Sequence, residues 1–450
     1  MTKKAFFVGF FCFFSLFSAF CFTQQKIIPD SSKIRKVIFE SWIERNFEEL
    51  REKPAEVFAN ESGDLFQVRI EDNGDEYAII VAPEKIAEIE VHTSRGIQLV
   101  ETSIFTKDSL GTWILTKSKK NNAYLRVSYY FQDNPFVYIQ FRPKKHKAVV
   151  DMVVFDAYLS KGVPVAVSFE DILFLDYETV YSMTSFFVPW DSVTPKHGLY
   201  TPLLQMVGEI RDNLPRVFYR DDVAYNENDV LYFISKNQEV VPIDREYKYL
   251  SSAGFVKWII DGLVYPVNGS QLKIMPLLNP TVEFSQGSKK FVATQNSNLT
   301  FSLDWARNLA CAFQSAKIKK TIFYKDSGVD VRINPFCSSN ILDINKKYFS
   351  YSENTGYKAE ILKPLLFVLA ATEPARFFIG SIKEINSKEE GLGSFNKNVL
   401  FFPYFDTQEN FYVTVFQDGK EIPLEEFILQ NKDNFIHLVR VSASENFNLK

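Results

Sequence analysis

Tyr249-Leu250-Ser251-Ser252-Ala253-Gly254-Phe255-Val256-Lys257-Trp258 is the stretch on which the second half of this chain turns. Two serines precede an apolar run. A serine hydroxyl at a helix start accepts a bond from an otherwise free amide. Phe255, Ile259 and Leu263 follow at a spacing of four, with Trp258 beside them, which is one face of a helix. The pattern predicts a capped helix from Ala253 to about Val264, packed on a core.

Further along, a second helix is expected from about Leu303 to Ala316, with Asp304 near its positive end, where a carboxylate is favoured. A third is expected from about Gly356 to Ala371, kinked or restarted at Pro364. Strands then read consecutively: Arg376 to Ile385, Val399 to Tyr404, Phe411 to Gln417 and Phe435 to Val441. Gly391-Leu392-Gly393 and Asp418-Gly419 are turns between them. Helices followed by consecutive strands make an α+β arrangement.

Before the quoted stretch the pattern changes twice. Residues 33 to 53 have a helical apolar period, with Ile34, Val37, Ile38, Trp42 and Ile43 on one side. From Leu65 to about Phe187 short alternating runs dominate, such as Phe66 to Ile70, Glu88 to Val91 and Tyr124 to Tyr129, with Asn73-Gly74 as a hairpin turn. Val137 to Phe141 and Val149 to Tyr158 flank a basic turn, Arg142-Pro143-Lys144-Lys145-His146-Lys147, read as a solvated hairpin tip. This region is expected to be a mostly antiparallel sandwich or barrel-like domain. Pro189, Pro195, Pro202 and Pro215 punctuate a connector. Its acidic stretch, Asp221-Asp222 and Asn226 to Asp229, lacks the spacing and glycine of a calcium loop. The division expected is a signal segment 1–21, a β-rich domain with a leading helix 22–187, a connector 188–240 and an α+β domain 241–450.

The chain opens Met1-Thr2-Lys3-Lys4 and then carries no charge from Ala5 to Phe22. That is the layout of a secretory signal, cleaved after Cys21 with Ala19 and Cys21 as the small residues. An uncleaved membrane anchor and a lipoprotein acylated on Cys21 are the alternatives. Export would place the protein in the periplasm or outside the cell, with the membrane touched only through this segment. Net charge is −4, with 46 % hydrophobic and 24 % charged residues, a composition that builds large cores and gives no reason to expect nucleic acid. Cys311 and Cys337 survive signal removal and could pair in an oxidising compartment, or Cys311 could be a buried thiol on a helix face.

The quoted stretch resembles the nucleophile motif of the NlpC/P60 family, papain-like hydrolases of bacterial cell-wall peptides, roughly Asp-Cys-Ser-Gly-Phe-Val-x-Trp at a helix start. Gly254, Phe255, Val256 and Trp258 match; Ala253 stands for the serine, Ser252 for the cysteine and Ser251 for the aspartate. The resemblance implies a papain-like fold, with a nucleophile at a positively polarised helix tip. A serine hydroxyl there needs an adjacent base. The strand most like the family's histidine strand is Asn396 to Phe402, where Asn396 and Asn398 occupy the plausible base positions. Asparagine cannot take a proton. His437 is the only histidine of the second half, set between apolar strand neighbours; His92, His146 and His197 lie earlier.

Three expectations follow. The first is a non-catalytic envelope protein that binds cell-wall peptides or protein partners, with Ser251, Ser252, Gly254 and Trp258 at the old substrate groove. The second is a hydrolase using Ser252 with His437. The third is a structural or adhesive β-rich protein unrelated to peptidases. No cofactor or metal is expected, for there is no phosphate-binding glycine loop and no metal-spaced His/Cys cluster. Arg307 is read either as a partner for a ligand carboxylate or as a structural cross-link.

Overall fold

The structure is a computed structural model and describes residues 28–30, 32–93, 96–236, 239–242, 247–282, 299–337, 350–385 and 393–449. The expected signal segment, Cys21 and the turn at Gly391-Leu392 lie outside the described residues. No helix among the described residues is long and apolar enough to cross a membrane.

The first half is built on one eight-stranded sheet. Its strands, in spatial order, are Glu56–Ala59, Leu65–Asn73, Glu76–Pro83, Trp113–Ser118, Tyr124–Tyr129, Val137–Lys144, Lys147–Val154 and Ala157–Pro164. Every neighbouring pair is antiparallel. Alternation puts Val68, Ile79, Leu115, Val127, Ile139 and Val150 on the core side, as a period of two requires. Between the third and fourth of these strands, Lys85–Thr93 and Gly96–Ile104 form a separate two-stranded hairpin. It leaves Ile97 and Leu99 exposed.

This half differs from the sequence reading in several places; Phe169–Ile172 and Tyr177–Thr184, within the run read as strands, are helices. The single helix expected over 33–53 is broken. Ser32–Ile38 is α-helical, Phe39–Ile43 continues as a π turn, and Phe47–Leu50 starts again. The break has a local cause: the Asn46 side chain accepts from the Glu49 amide, and Glu49 reaches back to the Asn46 amide. This capping box starts a new helix at Phe47. The run read as one strand from Val149 to Tyr158 is two strands joined at Phe155-Asp156, both at positive φ. A bulky residue disfavours that conformation. Phe155 is held there by rings on three sides: Phe136, Phe367 and Phe411. The basic turn is a hairpin tip as expected, with Lys144 opposite Lys147.

The second half contains a six-stranded antiparallel sheet in the order Tyr357–Lys358, Phe435–Ser442, Arg376–Ile385, Gly393–Phe405, Phe411–Gln417 and Lys420–Ile422. Both faces are covered. Phe377, Ile379, Leu400, Phe402, Phe416, Val439 and Val441 share a core with helices Ser252–Asn268 and Phe301–Ile318. Phe378, Phe401, Val415, Ile436 and Leu438 share the other core with helix Leu362–Thr372, and that core is continuous with the first half. Pro364 lies in the first turn of this last helix, where its missing amide costs nothing, so the helix restarts instead of kinking. The chain is therefore a mixed protein with two large antiparallel sheets, helices against them and, among the described residues, three two-stranded pairs besides.

Cys311 is buried and Cys337 exposed, and both are free thiols, so of the two readings open for them the buried thiol is the one found. Cys311 sits on the inner side of the 301–318 helix, while the Cys337 backbone amide bonds Tyr158 of the first sheet at 2.7 Å. Burial raises the Cys311 thiol pKa. Alkylation of the native protein followed by peptide mass mapping is expected to modify Cys337 quickly and Cys311 only after unfolding.

Candidate functional site

The quoted stretch does form a helix laid on a sheet. Ser251 is its N-cap: the hydroxyl accepts from the Gly254 amide at 3.1 Å and donates to the Val223 carbonyl at 2.9 Å. The helix runs from Ser252 to Asn268 and stops at Gly269, whose φ of 72° is the left-handed conformation of a helix end. Trp305 of the neighbouring helix donates its indole N–H to the Ala253 carbonyl at 2.9 Å. Gly254 meets the backbone of a short strand, Val223–Tyr225: a Cβ there would stand 2.2 Å from the Val223 carbonyl oxygen. Glycine is required for helix–strand approach. Trp258 and Phe255 are core residues, 5.9 Å apart between ring centroids.

Ser252 faces the sheet and is 7 % exposed. Its hydroxyl oxygen accepts from the backbone N–H of Asn398 at 3.4 Å. The Asn398 side chain, fully inside, donates to the Ser302 carbonyl at 2.9 Å and to the Ser381 hydroxyl at 3.1 Å. Ser381 in turn donates to the same Ser302 carbonyl at 2.8 Å. Asn396 is elsewhere. It is the extra residue of a β-bulge, lies exposed, and bonds Ser394.

Strand register puts Asn398, Ser381 and His437 in one row across three strands, since Ser381 pairs with both others. Rungs of a sheet are about 4.8 Å apart, so His437 is removed from Asn398 by two of them, about 10 Å. The structure thus brings Ser252 to Asn398 and gives His437 different company. His437 is completely buried. Arg307 approaches its Nε2 at 3.3 Å and the Tyr351 hydroxyl approaches it at 3.2 Å. The same nitrogen lies 3.5 Å from the Asp330 carboxylate, and Nδ1 has no hydrogen-bond partner among the described residues.

The centre of this second cluster is Asp330, which the sequence reading passed over. Arg307 grips it with two bonds, at 3.1 and 2.7 Å. Arg332 and the Tyr324 hydroxyl add bonds at 3.0 and 2.8 Å. Burial would by itself raise the Asp330 carboxyl, but contact with His437 and the guanidinium of Arg307 hold it well below the usual carboxylate range. His437 is driven down: burial, with Arg307 and Arg332 adding to it, outweighs the pull of Asp330. At neutral pH His437 is therefore uncharged, and Arg307 and Arg332 are the cations of the cluster. Arg307 also reaches Asn354 and Thr281, so it cross-links the segments that carry Thr281, Asp330 and Asn354.

The cluster floors an open cleft of about 470 Å³ lined by Thr281, Tyr324, Lys325, Asp330, Arg332, Glu353 and Asn354, among others. Asp304 fixes one rim by accepting from the Thr281 amide and hydroxyl at 2.7 and 2.6 Å. Sequence alone could not collect these residues, because they come from a helix end, two loops and a strand over 150 positions. The acidic stretch before the motif makes no comparable site. Asp222 bonds Ser235, and the Asn226 side chain accepts from Asn228 and Val230. Among the described residues no group of three His, Cys, Asp or Glu is placed to hold a metal ion.

Similarity to known proteins concerns the other half of the chain. Residues 24–192 match a family model described as a domain of unknown function, DUF8515. The DUF8515 stretch holds the whole eight-stranded sheet and ends before the motif helix begins at Ser252. No curated protein matches the chain, and no solved structure does.

Ser251 and Ser252 can be separated by experiment. Ser251→Ala removes a cap and is expected to destabilise by about 1 kcal/mol. Ser252→Ala removes one long hydrogen bond and is expected to cost less than about 1 kcal/mol. Urea denaturation of both variants checks the order.

Proposed function

We propose that this is an exported, non-catalytic binding protein whose second half keeps a peptidase-like helix-on-sheet frame with its reactive positions turned to structural use. One observation carries the reading. The hydroxyl at the nucleophile position is buried and faces the backbone amide of Asn398, where hydrolysis would require a proton acceptor. The row beside it, Asn398 and Ser381, is committed to the Ser302 carbonyl. His437 is neutral but has its Nε2 in contact with Arg307.

Binding then shifts from the Ser252 position to the cleft over Asp330. That cleft presents charges of both signs, Lys325 and Arg332 with Asp330 and Glu353, beside Tyr324 and Asn354. A zwitterionic peptide carrying free amino and carboxylate groups, as cell-wall stem peptides do, suits such a surface. Peptide segments of envelope proteins are the alternative source of the same chemistry.

The test uses the mature chain, from residue 22, mixed with purified peptidoglycan. Sedimentation reads retention and chromatography of released fragments reads cleavage. Retention without cleavage is expected, with retention lost in Arg332→Glu. Cleavage that disappears in Ser252→Ala, or no retention at all, would overturn the proposal.

A further inference from the structure

A second cleft, of about 530 Å³, opens in the first half, and its chemistry is distinct. Asp30, Asp64, Asp176, Glu178 and Glu409 line it, and among the described residues no lysine or arginine does. Aromatic rings form one wall: Phe131 stacks on Tyr177, and Tyr177 lies 6.3 Å from Tyr181 between centroids. Several carboxylates already have local work. Asp30 bonds Arg35 and the Tyr177 amide, Asp176 caps a helix by accepting from Thr179, and Glu409 pairs with His197 at 2.9 Å. Carboxylates alone would make an acidic surface and nothing more.

Gln132 makes the difference. It lines the same cleft, is 4 % exposed, and neither its amide oxygen nor its amide nitrogen has a hydrogen-bond partner. A buried amide left unpaired on both sides is costly, and native proteins keep few of them without a reason. Its neighbours are fixed: Leu110 donates to Asp133, the next residue, at 3.1 Å. The Gln132 amide thus presents a free donor and a free acceptor at the cavity wall.

From this we propose that the cleft is a binding site for an alkylammonium ligand, either a lysine-like peptide side chain or a free polyamine. The ammonium group is met by the carboxylates, chiefly Glu178 and Asp64, its carbon chain lies on the Phe131–Tyr177–Tyr181 wall, and Gln132 pairs with a polar group of the ligand. A hard metal ion does not fit, because no three of these carboxylates converge. The site is separate from the cleft over Asp330, and most of its lining falls within the DUF8515 stretch.

The test is calorimetric titration of the mature chain with dilysine, with spermidine and with diglutamate, alongside thermal melts. One-to-one binding of an amine probe and none of diglutamate are expected. Preference for dilysine identifies a peptide ligand, and preference for spermidine a polyamine. Gln132→Met is expected to weaken binding tenfold or more while raising Tm, since it removes an unpaired amide. Glu178→Gln is expected to weaken binding with Tm unchanged, and it carries the test if the first variant does not fold. Absence of binding to both amines, or binding that neither variant alters, would overturn the proposal.

Discussion

Gly254→Ala is expected to destabilise the protein by about 3 kcal/mol or more, one of the two largest effects of any single substitution considered. The added methyl would stand 2.2 Å from the Val223 carbonyl oxygen. That oxygen also accepts from Ser251, through both its hydroxyl and its amide, so it cannot withdraw without breaking the helix start. The helix is otherwise helped by alanine, so the sign of the effect tests packing against propensity. Gly208 provides the control. It lies inside the helix Thr201–Asn213, and a Cβ there meets nothing within 4 Å. Gly208→Ala is expected to stabilise by about 0.5–1 kcal/mol. Urea denaturation of both variants, followed by circular dichroism, reads the contrast.

The other large effect is expected at Arg307. The residue is wholly buried and bonds Asp330, Asn354 and Thr281. Arg307→Ala leaves an ionised carboxylate inside the protein with only Arg332, half in solvent, as a counter-charge. Removing one partner of such a pair costs about 3–5 kcal/mol. The effect has a definite pH dependence. A carboxylate whose folded pKa lies below its unfolded value contributes stability above the unfolded pKa, about 3.9. That contribution is lost as pH falls from there through the folded value. The Asp330 carboxyl is held low, so wild type should lose this stabilisation below about pH 4. The gap between wild type and Arg307→Ala should therefore narrow from pH 7 to pH 3. A gap that widens in acid would mean that Asp330 is not the group Arg307 supports.

What could be read from sequence followed period and cap. The motif helix, the 301–318 helix and the four later strands have long apolar periods, and the structure places them where those periods put them. Phe155 escaped because its turn depends on aromatic neighbours from distant segments. The 33–53 helix was over-extended because Asn46 and Glu49 were not recognised as a capping box. The site was harder. Ser251 as a cap and Gly254 as a close-approach residue are local facts, open to sequence reasoning. Asp330 carries no local signal. Its importance comes only from Arg307, Tyr324, Arg332 and His437 converging on it in space. Gln132 likewise looks ordinary until its two missing partners are noticed.

The resemblance to a peptidase motif has a physical explanation that does not need catalysis. Glycine permits the 223–225 strand to approach, phenylalanine and tryptophan fill the core, and serine caps the helix. Lys257, the variable position of the pattern, is buried and pairs with Asp261 at 2.5 Å. Val256 is fully buried as well, so the four residues that match the motif all have a place in the fold itself.

Labelling with a fluorophosphonate serine probe asks the most direct question of this account. The protein is incubated with the probe and its intact mass is measured, with Ser252→Ala as the reference. A hydroxyl enclosed beside the Asn398 amide, with no base bonded to it among the described residues, should give no adduct. A stoichiometric adduct that maps to Ser252 and vanishes in the alanine variant would contradict the account.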